Sequence, residues 1–170
     1  MKEFEKEFYA HLGLLSVKFA KMEYNLSIIL GKLIGTDENL IAVTLIEKNT
    51  LSQNLELLKK INKIRDYKEL AINNLLEQIT GIKKDRNLFI HGIWGFPFES
   101  ENDIKIVCDE RKIRYSEKKV KNGVWPDKQW HYNENHVFRL SYIKKQIARI
   151  DDILIFQDSL IKELTIYTLL

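Results

Sequence analysis

The sequence predicts an all-α protein: an antiparallel helical bundle of four to five helices, with a small β-hairpin insertion before the last helix. Three observations carry this. Apolar residues recur at threes and fours over three long stretches. Two prolines and seven glycines in 170 residues leave long helices uninterrupted. Strict alternation appears only at Ile104, Ile106 and Cys108, between the last two helical stretches.

The first helix is expected from about Lys2 to Leu33. Phe4, Phe8, Leu12, Leu15, Phe19, Met22, Leu26, Ile29 and Leu33 form one stripe over roughly eight to nine turns. Gly35 stops it, and Thr36 or Asp37 caps a short helix from Asp37 to Glu47. A segment from about Ser52 to Ile64 carries Leu55, Leu58 and Ile61. The next helix spans about Asp66 to His91, with Ile72, Leu75, Ile79, Ile82 and Phe89 as its stripe. Gly81 is a point where that helix can break. Gly92, Gly95 and Pro97 end it. In the insertion, about 96–138, a strand over 104–108 leads to a turn at Asp109-Glu110. Lys112 to Tyr115 then returns, and Trp130–Tyr132 or Val137–Leu140 adds a third strand. Ser141 is the expected cap of a final helix, about Tyr142 to Tyr167, striped by Ile143, Ile147, Ile150, Leu154, Ile161 and Leu164.

The length favours one domain over 1–170 with room for a core. A net charge of +3 permits an acidic partner without demanding one. The single cysteine, Cys108, excludes an internal disulfide and any cysteine-based zinc site. The first residues hold no apolar signal core, and no run of about 18 apolar residues occurs, so a cytoplasmic chain without membrane contact is expected.

Chemistry concentrates at Arg86-Asn87-Leu88-Phe89-Ile90-His91. Arginine offers a planar fork of donors suited to phosphate. Histidine gives or takes a proton near neutral pH. Asn87 and His91, four apart, share a helix face with Arg86 beside it. Arg86 also occupies the apolar stripe, where an unpaired guanidinium costs several kcal/mol. A partner or a ligand is therefore implied. The competing account is structural: cations at a helix C-terminus interact well with its dipole and last carbonyls. Glu23, four after Phe19 and three before Leu26, borders the buried face of the first helix. A carboxylate at that edge can simply reach solvent. His11, on the same border, reads as structural.

The insertion holds Arg111, Lys112, Arg114, Lys118, Lys119, Lys121 and Lys128, with only Glu117 and Asp127 as counter-charges between 111 and 128. Tyr115, Trp125, Trp130, His131 and Tyr132 are interleaved. Such a mixture holds phosphates and stacks unpaired bases, or is a solvated hairpin with its tryptophans packed inward. Arg111, Lys112, Arg114, Lys118, Lys119, Lys121, Trp125 and Trp130 are the candidate RNA contacts. No metal site is expected. His131 and His136 flank Glu134, but no accompanying Cys or His completes a ligand set. A Gly-rich phosphate loop and a G-x-S-x-G motif are both missing.

Arg86-Asn87-x-x-x-His91, followed by Gly92, resembles the signature of the HEPN superfamily of prokaryotic nucleic-acid-processing proteins. That signature is Arg, usually then Asn, Asp or His, a few variable residues, and His. The helix order around the motif is also similar, so the resemblance covers most of the chain while only the motif is specific. It implies a metal-independent endoribonuclease without cofactor, acting as a toxin or in phage defence. The 2′-OH would be the nucleophile, with Arg86, Asn87 and His91 catalytic. It makes Glu23 the early-helix acid that orients Arg86 or His91. It also implies a homodimer and an antitoxin or other defence protein as partner. The alternative within the same family is a non-catalytic accessory module that binds RNA, a nucleotide or a protein. Some members are modified on a tyrosine two residues after the histidine; here that position is Ile93, so this control is not supported.

Overall fold

The computed structural model describes residues 1–35, 44, 46–110, 114–118, 127–131 and 134–167; over 114–118, 127–131 and 166–167 it describes the backbone alone. Among these residues the protein is mostly helical, with four long helices and a small antiparallel sheet before the last. The helices are α1 (Glu3–Ile34), α2 (Leu51–Arg65), α3 (Glu69–His91) and α4 (Leu140–Tyr167).

α1 follows its stripe. Phe8, Leu15, Phe19, Met22, Leu26, Ile29 and Leu33 are all buried. It ends at Gly35, whose φ of 77° is left-handed and suits a residue without Cβ. Arg65 reaches back from the end of α2 and donates to the Leu33 and Ile34 carbonyls, each at 3.0 Å, satisfying that terminus. Of the expected short helix, Thr44, Ile46 and Glu47 fall among the described residues; Thr44 and Ile46 are helical and Glu47 lies in a turn. Thr36 and Asp37 lie outside them.

α2 starts with a reciprocal cap: Thr50 Oγ1 accepts from the Gln53 N–H and Gln53 Oε1 from the Thr50 N–H. α3 begins at Glu69 rather than Asp66, because Asp66 and Lys68 take left-handed φ values of 51° and 44° that helical backbone excludes. It then runs unbroken through Gly81. A Cβ at Gly81 would lie 2.5 Å from Arg149 Nη2, so the glycine makes room for a guanidinium from α4.

Polar contacts set the helix directions. Glu7 meets Lys144 at 2.8 Å, Lys18 meets Asp151, and Asn25 donates to Asp158 at 3.0 Å. Residue numbers rise together, so α1 and α4 run the same way. Against α3 they fall: Phe19 lies by Phe89 and Glu23 by Arg86, while Tyr142 donates to Asp85. Antiparallel packing therefore describes α3 against α1 and α4, and not α1 against α4.

The insertion exceeds the small hairpin with a third strand that was expected. β3 (Asp103–Glu110) is the centre of a four-stranded antiparallel sheet. β1 (Ile93–Trp94) and β2 (Phe98–Ser100) pair with one part of it or another, and β6 (Glu134–Arg139) pairs along it. A separate pair joins β4 (Arg114–Lys118) to β5 (Asp127–His131), with Tyr115 opposite Trp130. Both segments offered for a third strand thus contain one. The expected turn at Asp109-Glu110 does not occur. Asp109 pairs with Ile93 and Asn135, and Glu110 with Glu134, so ladder bonds on β3 override the local turn preference of two acids.

The sheet is fastened to the helices close to the end of α3. Ile106, Cys108 and Phe138 are buried on its inner face. Phe89 stacks on Trp94 with centroids 5.5 Å apart and lies 5.0 Å from Phe138. A Cβ at Gly92 would fall 2.2 Å from Cys108 Sγ and 2.5 Å from the Leu88 carbonyl, so only glycine permits this approach. Burial, with Asp109 and Glu110 nearby, pushes the Cys108 thiol up to about 11.

α4 begins at Leu140, and Ser141 is not its cap. The cap comes from the sheet. Asp103 Oδ2 accepts from the Ser141 hydroxyl at 2.5 Å, and the carboxylate also accepts from the Ser141 and Ile104 N–H groups. These bonds, the hydroxyl's first, hold the Asp103 carboxyl below its ordinary value despite opposing burial. A depressed value stabilises the fold above 3.8 and loses that contribution as pH falls through the folded value. Asp103→Ala is expected to cost about 0.5–2 kcal/mol at neutral pH, and less at a pH far enough below 3.8 to protonate the carboxyl in the folded protein. Urea unfolding at both pH values tests this; an equal deficit at both would refute the capping role.

Candidate functional site

The last turns of α3, the start of α2, α1 at Glu23 and the end of β3 enclose a cleft of about 600 Å³. Its lining includes all four residues of the expected catalytic set: Glu23, Arg86, Asn87 and His91.

Arg86 emerges from the apolar stripe of α3 opposite Glu23, and the two form a bidentate ion pair. Nε donates to Oε1 at 2.6 Å and Nη2 to Oε2 at 3.0 Å. The side chains are 20% and 29% exposed, so the pair is largely withdrawn from water. This is the partner that the stripe position demanded. Nη1 donates to Asn87 Oδ1 at 3.3 Å, which ties the amide to the guanidinium rather than to His91. The second hydrogens on Nη1 and Nη2 remain for a further acceptor. His91 is exposed at the C-terminus of α3, on the same wall as Asn87.

Two further charged groups line the cleft. Lys83 is one turn before Asn87 on the same helix face, and its Nζ donates to Ser52 Oγ at 3.2 Å across to the start of α2. The spacing Lys83, Asn87, His91 is by fours, a signal the sequence contains. Glu110 enters from β3, where His136 Nε2 lies 3.2 Å from its Oε2. Neither Glu110 nor His136 was expected here, because their meeting depends on strand register. The acidic and basic lining residues are equal in number: Glu23 and Glu110 against Lys83 and Arg86, with His91 besides. The N-terminus of α2, residues Thr50 to Ser52, also lines the cleft and favours an anion through its dipole.

Of the candidate RNA contacts, Arg111, Lys112, Lys119, Lys121 and Trp125 lie outside the described residues. Arg114 and Lys118 sit on β4 and Trp130 on β5, where the backbone alone is described. His11 bonds the Glu7 carbonyl at 2.8 Å within α1, a structural role. Among the described residues no helix is long and apolar enough to cross a membrane. No family model, curated protein or solved structure matches this chain.

The Arg86–Glu23 pair should couple α1 to α3. Arg86→Ala and Glu23→Ala each leave a partly buried charge without its partner, and each is expected to lower stability by about 1–3 kcal/mol. The double variant should lose less than the sum, by about 0.5–3 kcal/mol. Chemical denaturation of the four proteins closes the cycle. Strict additivity would mean that the contact holds nothing together.

Proposed function

We propose that the chain is a metal-independent endoribonuclease of HEPN type. The observation that carries this is the convergence of Arg86, Asn87 and His91 with Glu23 in one cleft. Support also comes from the four helices, read here as a bundle interrupted by the sheet before α4. In this mechanism His91 takes the 2′-OH proton or protonates the leaving 5′-oxygen. Arg86, held in place by Glu23, turns its remaining N–H groups to the phosphorane. Asn87 fixes the guanidinium, and Lys83 adds charge where a neighbouring phosphate would pass. Residues Arg111 to Trp130 of the insertion would hold flanking RNA. A toxin or phage-defence role belongs to the same proposal, as does an antitoxin or another defence protein as partner.

A second reading has its own observation. Arg86 is already paired and the lining acids match Lys83 and Arg86 in number, which suits a module that binds without cutting. The two separate cleanly. Purified protein at saturating RNA should cut single-stranded or loop RNA in EDTA and leave 2′,3′-cyclic phosphate ends. RNA with 2′-O-methyl at the cut site should resist. His91→Ala should lose about 10²–10⁴-fold in rate. Arg86→Lys, which keeps the charge but not the fork, should lose much of the rate with the fold intact. RNA that is bound yet never cut would establish the accessory module instead.

One copy supplies one Arg86 and one His91, which is little for acid, base and phosphate binding together. We propose a two-fold dimer around the end of α3, where Ile90 is 41% exposed. Sedimentation at micromolar concentration should show it; an active monomer would rule it out.

A further inference from the structure

Beyond the cleft, the inner face of the sheet changes character along its length. Alternate residues of a strand share a face. On β3 these are Ile106, Cys108 and Glu110; on β6 they are Phe138, His136 and Glu134. The register sets Ile106 opposite Phe138, Cys108 opposite His136, and Glu110 opposite Glu134. The apolar end is buried in the core. At the other end two carboxylates stand directly across the ladder. His136 is beside them, and one ligand atom from each of Glu110, Glu134 and His136 lies within 4.8 Å of the other two.

We propose that Glu110, Glu134 and His136 hold a divalent transition-metal ion on the rim of the Arg86–His91 cleft. Ligands about 2.0–2.2 Å from one ion lie about 3–3.5 Å apart when adjacent. His136 Nε2 and Glu110 Oε2 are already 3.2 Å apart. Glu134 is exposed and stands on the same face of the ladder as the other two. Two carboxylate oxygens and an imidazole nitrogen favour Mn²⁺ or Zn²⁺ over Mg²⁺ or Ca²⁺, which prefer oxygen alone. Glu110 also lines the cleft with Arg86, so an ion held there would add positive charge to that wall. The site stands on strand register; its effect on RNA rests on the ribonuclease reading, in which the ion takes no chemical step.

Calorimetric titration of the tag-free full chain with Zn²⁺ and with Mn²⁺ tests the site. One equivalent should bind. Glu110→Gln and His136→Ala should each weaken binding by about tenfold or more. His11→Ala should leave it unchanged. Melting in EDTA verifies that each variant folds, and the near-isosteric Glu110→Gln decides the matter if His136→Ala does not fold. Equal affinity in wild type and Glu110→Gln, or no binding at millimolar metal, overturns the site. A 2′-O-methyl RNA oligonucleotide separates the two proposals. Mn²⁺ should tighten its binding to wild type and not to Glu110→Gln. Metal bound at the triad by a chain that ignores the oligonucleotide upholds the ion site and removes the RNA role.

Discussion

Arg86 and Glu23 meet where the hydrocarbon contact between α1 and α3 is interrupted. On one side Phe19 packs near Phe89, and on the other Leu26 and Ile82 are fully buried. A guanidinium at that level of the stripe is tolerable only with an acceptor for its fork, and α1 supplies one at the border of its own stripe. The pair thereby fixes the relative height of the two helices. A slide of one turn, about 5.4 Å, would strand both charges in an apolar contact. Because His91 is rigidly placed five residues along the same helix, its height above Glu23 follows from this one constraint.

The sheet sets the other wall, and it does so through the end of α3. Gly92 lets β1 leave the helix against Cys108, and Phe89, Trp94 and Phe138 lock that departure. Where β1 lies decides where β3 lies, since Trp94 pairs with Cys108 and Ile93 with Asp109. Glu110 is the next residue on β3. Its arrival in the cleft is therefore a consequence of how closely the backbone can turn at Gly92.

The features legible in the sequence are those whose cause is local. Stripes of α1 and α3, the glycine stop at Gly35 and the grouping of Arg86, Asn87 and His91 all follow from helical spacing within a few turns. Glu23 was legible as a stripe-edge carboxylate because Phe19 and Leu26 locate the stripe. What escaped is non-local. Asp109-Glu110 has the composition of a turn, yet β1 and β6 claim its backbone from both sides. That one misjudgement hid Glu110 from the cleft and from His136. The same holds at Ser141, a good cap by composition, where Asp103 supplies the capping carboxylate from 38 residues away. The common direction of α1 and α4 shows only in their cross-contacts, since spacing along one helix says nothing about its neighbour's polarity.

Charge distribution in the cleft gives its two walls different tasks. The helical wall joins Lys83, Arg86, Asn87 and His91, all donors or proton carriers, with the α2 N-terminus facing them. The strand wall presents Glu110, backed by His136. An anion is favoured by the first wall, and a cation by the carboxylate of the second. Glu23 shifts the balance further, because it spends the strongest donor on an internal contact. What suits both walls together is an anion accompanied by a positive charge at the strand side. The ion proposed at Glu110, Glu134 and His136 would supply that charge from the strand side.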